Sequence, residues 1–191
     1  MLNPTQSLEQ FLLKIRSKAL AFTVFRVRDE DHALDILQDT MMGFVKVVAQ
    51  YDKEIWVNLF YKILKRRISD FQRKQRWRNR LQQIIPFSQL KANNASHTET
   101  ENWDNLHTDP DNTQANSVES QYAVEHLCHD FEQALQKLPN RQQEAYLLRQ
   151  WQGMSVKDTA DIMGCSTGSV KTHLYRAMQS LKRQLGEWIN E

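Results

Sequence analysis

The sequence predicts an all-α protein built as two small helical domains joined by a flexible linker, and three observations carry that expectation. Apolar residues recur at roughly 3.6-residue spacing on both sides of a stretch, Leu81 to Ser120, in which the periodicity dissolves. No Val/Ile/Thr alternation bounded by turn residues appears, so no strand is expected. Charge is segregated within a formal net charge of only +2: nine basic residues between Lys62 and Arg80 face the single acid Asp70, whereas six acids between Lys91 and Glu119 face Lys91 alone. With 191 residues, 40% hydrophobic and 25% charged, and only 5 Gly and 4 Pro, the composition is that of a soluble, helix-rich globular chain whose cores must be modest.

Taken in order, Leu8, Phe11, Leu12, Ile15, Leu20, Phe22, Val24 and Val27 suit one or two early helices, with spacing too dense to place a break. Asp29-Glu30-Asp31 supplies negative charge for the next helix N-terminus, and Ala33, Leu34, Leu37, Met41, Phe44, Val45 and Val48 continue it to near Tyr51. A third helix begins around Glu54 and carries Ile55, Leu59, Ile63, Ile68 and Phe71, apolar early and basic late. Pro86, the run Lys91 to Ser96 and Asp109-Pro110-Asp111-Asn112 then read as linker. The expected division is therefore a domain over 1–82, an acidic linker over 83–119 and a second domain over 120–191. In the second domain, Tyr122, Val124, Leu127, Phe131, Leu135 and Leu138 predict a helix stopped near Pro139. Three more follow, about Arg141 to Trp151, Ser155 to Met163 and Thr167 to Trp188.

Several function classes find no support. The N-terminus has no basic segment leading into a long apolar core, and no window reaches the 18 or more apolar residues of a membrane span, so a cytoplasmic protein without membrane insertion is expected. The two cysteines, Cys128 and Cys165, imply no disulfide framework. His126, Cys128, His129 and Cys165 have poor zinc spacing, because Cys128 points away from the face His126 and His129 share on one helix; no metal and no cofactor are expected. Without a Walker-type loop, H-E-x-x-H or G-x-S-x-G, no enzyme activity is inferred. The tryptophans Trp56, Trp77, Trp103, Trp151 and Trp188 read as core or interface anchors rather than cofactor contacts.

The C-terminal third holds the sharpest pattern. Ser155 is a helix N-cap with Asp158 three residues on, Gly164 suits a left-handed C-terminal position, and Ser166 caps the next helix after a turn of about three residues. This is helix-turn-helix spacing. On a helical wheel Val170, Leu174, Ala177, Met178, Leu181, Leu185 and Trp188 form a core face; Gly168, Thr172, Tyr175, Arg176 and Gln179 lie opposite, flanked by Lys171 and His173. The near absence of acid lets that face approach a polyanion, and Arg, Lys, Thr and Gln bond base edges or phosphates. The stretch Ala134 to Leu181, with Leu138-Pro139, the run Gly153 to Ser166 and Gly168-Ser169-Val170-Lys171-Thr172-His173-Leu174-Tyr175-Arg176-Ala177, resembles region four of extracytoplasmic-function sigma factors of RNA polymerase.

The N-terminal half adds to the resemblance. Asp35-Ile36-Leu37-Gln38-Asp39-Thr40 resembles the region-two segment that grips the polymerase clamp helices, and Asp35, Gln38 and Asp39 share one helix face. Trp56 to Phe71 resembles the segment that melts and reads the −10 element; aromatic and basic character suits single strands, although at least half of Trp56, Phe60 and Tyr61 are expected in the core. Many family members carry Asn where this chain has Arg66, and Arg lacks an amide's paired donor and acceptor, which puts the −10 preference in question. The resemblance covers about residues 10 to 80 and 122 to 186.

What the resemblance implies is a non-catalytic promoter-specificity subunit. Its partners would be core RNA polymerase, through the clamp helices of the large subunit and the flap, promoter DNA, and an inhibitory anti-sigma factor. Asp35, Gln38 and Asp39 would bind core; Trp56, Tyr61, Lys62, Lys65, Arg66, Arg67 and Arg73 would contact the −10 element; Ser169, Lys171, Thr172, His173, Tyr175 and Arg176 would contact the −35 element. A homodimeric helix-turn-helix regulator and a helical adaptor without DNA remain the alternatives, although no βαβ receiver pattern precedes the helix-turn-helix.

Overall fold

The computed structural model describes residues 4–84 and 129–186, and every regular element among them is helical. Contacts divide the chain into two compact units, Met1–Pro110 and Asp111–Glu191. The described part of the first unit is a three-helix assembly. Helix α1 runs over Pro4–Val27 as one helix, α2 over Glu30–Val47, and α3 over Trp56–Ile84. The break between α1 and α2 lies at Arg28, whose φ of 62° puts a non-glycine residue in the left-handed region. Asp29 follows in extended conformation and caps α2, its carboxylate accepting from the His32 amide at 2.8 Å. Burial raises the Asp29 pKa, but the hydrogen bonds from His32 and its charge outweigh that effect and leave the carboxyl below its usual range.

The periodicity placed these helices well and their ends less well. A 3₁₀ turn, Val48–Gln50, finishes the α2 segment, and a second, Lys53–Ile55, leads into α3. Helix α3 continues to Ile84, two residues into the expected linker, whose remainder lies outside the described residues. The core of the unit is aromatic. Phe11, Phe44, Trp56 and Phe60 meet at ring centroid separations of 5.3 to 6.2 Å, and Tyr61 packs edge-on against Phe22 at 5.6 Å and Phe60 at 5.9 Å. Trp56 Nε1 donates to the Tyr51 carbonyl oxygen at 3.1 Å, which satisfies the indole and ties the loop to the core. Buried Thr23 and Thr40 donate to the carbonyl oxygens of Ala19 and Ile36, one turn back, at 2.7 Å each.

In the second unit, residues 129–136 form helix α4, followed by α5 (Asn140–Tyr146), α6 (Val156–Met163) and α7 (Thr167–Gln184). The helix expected over Arg141 to Trp151 changes character at Leu147: its last turn, Leu147–Trp151, is π-helical, with the Gln152 amide donating to the Leu147 carbonyl at 3.0 Å. Leu135, Leu147, Leu148, Met163, Val170, Ala177 and Leu181 make the core. Arg141 Nη1 donates to the Met163 carbonyl at 2.7 Å, and buried Gln143 Nε2 donates to Leu135 O at 3.1 Å, so polar groups pin α5 to both α6 and α4. Tyr122, Val124, Leu127 and Trp188, expected in this unit's helices, lie outside the described residues.

Candidate nucleic-acid interface

The geometry of α6, turn and α7 follows from caps. Ser155 Oγ accepts from the Asp158 amide at 3.0 Å and Ser166 Oγ from the Ser169 amide at 3.1 Å. Between them Gly164 sits at φ 62° and ψ 47°, where a Cβ would carry left-handed strain although space is open around it. Three residues, Gly164, Cys165 and Ser166, therefore reverse the chain. Helix α7 then buries Val170, Ala177 and Leu181 and exposes Lys171, Thr172, Tyr175, Arg176 and Gln179. No acid occurs from Thr167 to Gln184, while Lys171, Arg176, Lys182 and Arg183 are all exposed. Two expectations are corrected. Met178, at the margin of the apolar stripe, is 44% exposed instead of buried, and Leu174 is half-buried. His173 leans towards the protein with Nδ1 buried, so the ring presents less to the outside than Lys171 does. The Thr172 hydroxyl donates to the Gly168 carbonyl at 3.0 Å, which leaves its oxygen chiefly as an acceptor, and Ser169 Oγ lies within hydrogen-bond distance of Ser166 Oγ at 2.9 Å.

Helix α3 divides by face. Trp56, Phe60 and Tyr61 are 8%, 0% and 1% exposed, so all three rings belong to the core and the stacking role expected of Trp56 and Tyr61 is corrected. The reason lies in the helical repeat, since these positions share a side with Leu64 and Ile68, which are also buried. Burial pushes the Tyr61 phenol pKa up, and its hydroxyl has no hydrogen-bond partner among the described residues. Lys62, Arg66 and Arg73 stand exposed on the other side, with Lys65 and Arg67 half-exposed. Arg73 pairs with Asp70 at 2.9 Å, and Gln72 Nε2 donates to the Arg26 carbonyl at 2.8 Å, tying α3 to the end of α1.

On α2, Asp35, Gln38 and Asp39 are exposed along one face, as expected. Arg67, assigned from the sequence to a different role, reaches across from α3 and donates to Asp39 Oδ2 at 3.0 Å. Its guanidinium lies so close to α2 that a Cβ on Gly43 would come within 3.0 Å of Nη2. Leu34, Met42 and Val45, 40% to 51% exposed, accompany the polar face, and sequence reasoning had assigned Leu34 and Val45 to the buried stripe. Beside them Leu8, Leu12, Leu13, Leu37 and Met41 line a mainly apolar groove of about 510 Å³ between α1 and α2. The missed signal was the width of the α2 stripe, broader than one neighbouring helix can cover.

Residues 128–181, which span α4 to α7, match the family described as Sigma-70, region 4. The RNA polymerase sigma factor SigV of Bacillus subtilis (strain 168) is 28% identical over 167 residues, covering 87% of this chain and 82% of that protein. Residues 128–181 therefore carry a Sigma-70 region 4 domain, and the chain is similar over most of its length to an RNA polymerase sigma factor. The ECF RNA polymerase sigma factor EcfG of Rhodopseudomonas palustris (strain TIE-1) is 38% identical over a shorter stretch of 79 residues, 40% of this chain and 44% of that protein. Among solved structures, the sigma factor RpoE from Bartonella quintana, crystallised with the anti-sigma factor NepR, shares the fold with a TM-score of 0.67 at 22% identity, over 97% of this chain and 99% of that one. The all-helical expectation therefore holds among the described residues. No helix among the described residues is long and apolar enough to cross a membrane. Of the four discounted metal-ligand candidates, His126 and Cys128 lie outside the described residues.

Proposed function

We propose that this chain is a sigma factor that binds core RNA polymerase through α2, engages the −10 element with the basic face of α3, and reads the −35 element in duplex form with α7, working in the cytoplasm without catalytic chemistry of its own. The observation that carries the reading is the exposed, acid-free face of α7 behind a capped three-residue turn, a helix that meets a major groove without repulsion. Ser169, Lys171, Thr172, Tyr175 and Arg176 are the contacts assigned there, with His173 at the margin. On α3 the contacts are Lys62, Lys65, Arg66 and Arg73, which follow phosphates while Trp56 and Tyr61 hold the helix in place. On α2, Asp35, Gln38 and Asp39 supply polar contacts to a polymerase helix, and Leu34, Met42 and Val45 the apolar surface that such an interface covers.

The domain limits follow the same reading: a polymerase and −10 domain over 1–82, a linker over 83–119 and a −35 domain over 120–191, with the flap as the second domain's polymerase contact. The relative crystallised with an anti-sigma factor supports an inhibitory partner for this chain too, one that covers the polymerase-binding faces. The deciding experiment is transcription in vitro with purified core polymerase and cloned promoter fragments. Initiation at discrete promoters that depends on adding this protein is the expected result. A chain that binds duplex DNA yet never confers initiation on core would overturn the reading in favour of a conventional regulator.

A further inference from the structure

Glycine is the poorest helix former after proline, yet Gly43 lies inside α2, four residues before the end of the helix. Its backbone gives no reason for a glycine, since the glycines in the left-handed region among the described residues are Gly153 and Gly164. Space gives one. A Cβ at Gly43 would come within 3.0 Å of Arg67 Nη2, closer than side chains ordinarily approach, whereas the next neighbour, Ile63 Cγ2, would stand at an ordinary 3.8 Å. The missing side chain therefore makes a seat for one group, the Arg67 guanidinium. From that seat Nη1 donates to Oδ2 of Asp39, one helical turn before Gly43, at 3.0 Å. Asp70, an acid three positions further along Arg67's own helix, is engaged instead by Arg73 at 2.9 Å. The Asp39 and Arg67 side chains are 57% and 37% exposed. A pair so open to water adds little to stability, so joining the helices is a weak reason to keep a glycine in mid-helix.

We infer that Arg67 is a positioning residue of the α2 recognition face, seated by Gly43, and not a nucleic-acid contact. It holds the Asp39 carboxylate in one orientation beside Asp35 and Gln38, and it adds its own guanidinium to that face. An exposed carboxylate that turns freely must give up that freedom when a partner arrives; one already held by a planar fork has less to lose. A guanidinium also carries five N–H groups, and the bond to Asp39 leaves donors over for a partner. The surface so completed is a carboxylate and a guanidinium side by side, suited to a partner helix that carries opposite charges of its own. The inference rests on the proposed contact between α2 and polymerase and adds two residues, Gly43 and Arg67, to what shapes it.

The test uses variants of the full chain, with core binding followed by polarisation of the fluorescein-labelled protein and initiation followed as each variant is titrated against a fixed amount of core polymerase. Gly43→Ala should keep the circular-dichroism spectrum and a urea midpoint at or above that of the wild type, because Ala is the better helix former and the group it meets is the movable end of a long side chain. It should nonetheless weaken core binding by about threefold, and Arg67→Ala by about tenfold. The double variant should bind no worse than Arg67→Ala alone, because the added methyl has nothing left to displace. Arg67→Lys, which keeps the charge and loses the fork, should recover only part of the loss. Initiation by every one of these variants should reach the wild-type plateau once the chain is in excess. The inference is overturned by wild-type core affinity in Gly43→Ala, by additive losses in the double variant, or by a lowered plateau at unchanged half-saturation, which would put Arg67 on the promoter. Asp39→Ala separates it from the broader reading. If Asp39→Ala loses core while Gly43→Ala and Arg67→Ala do not, the α2 contact stands and the seat falls; if Asp39→Ala binds core as the wild type does, the contact falls and takes the seat with it.

Discussion

Arg176 and Lys171 differ by only five positions on α7 and are expected to behave differently. Arg176, exposed beside buried Ala177, has a rigid fork that matches guanine O6 and N7. Arg176→Ala should cost about 1–3 kcal/mol at the cognate −35 element and flatten preference at one base pair. Lys171 offers a flexible point charge, and Lys171→Ala should weaken all duplexes about equally and lower the salt slope by about one. Titration of base-substituted duplexes at several salt concentrations distinguishes them; uniform weakening by Arg176→Ala would mean that another residue reads the base. At the core, Tyr61 buries a hydroxyl with no partner among the described residues. Tyr61→Phe is therefore expected to raise stability by up to about 1 kcal/mol. The pKa raised by burial adds a sign: the folded state favours the neutral phenol, so this group's contribution is intact below the unfolded value near pH 10 and declines as pH rises above it. Urea titrations between about pH 7 and pH 11 should show a shallower alkaline decline for Tyr61→Phe than for the wild type.

At the scale of elements, the Asp39–Arg67 pair joins the face of α2 proposed to meet polymerase to the basic helix α3. Both side chains are well exposed, so the pair itself adds at most about 1 kcal/mol. Its consequence is for the reading of mutants, because Asp39→Arg removes a carboxylate from the α2 face and also sets two cations against each other. The exchange variant Asp39→Arg with Arg67→Asp restores the internal pair. If Asp39 meets polymerase, Asp39→Arg and the exchange variant should both lose core in pull-down assays. Recovery of core binding by the exchange would show that the pair acts by holding α2 and α3 together.

For the whole molecule, the proposed division of labour predicts separable defects in one assay. Leu34→Asp places a charge beside Gln38 on the exposed margin of α2, and it should abolish core association and, with it, all initiation, leaving duplex binding by the second unit unchanged. Arg176→Ala should leave core association intact and reduce initiation only at promoters that depend on the −35 element. Pull-down and transcription run on the same preparations provide the check, and loss of core binding by Arg176→Ala would contradict the scheme.

Helix type, the cap residues Asp29, Ser155 and Ser166, the Gly164 turn and the charge on α3 and α7 were all legible in the sequence, because each depends on side chains within a turn or two of one another. The candidate α7 face was legible for the same reason: a single helix with one apolar stripe leaves little choice about what it exposes. Tertiary structure decided the matters that depend on where a neighbouring helix stops. Trp56 and Tyr61 proved to be core because α1 covers them through Phe11 and Phe22, whereas Trp77 stands clear because α3 outruns the helices it packs on. Leu34, Met42, Val45 and Met178 stay exposed at stripe margins that no helix among the described residues covers, and Arg67 meets Asp39 across 28 residues of sequence. Periodicity records which residues share a face, but how much of that face is covered depends on interhelical packing, which joins residues far apart in the chain.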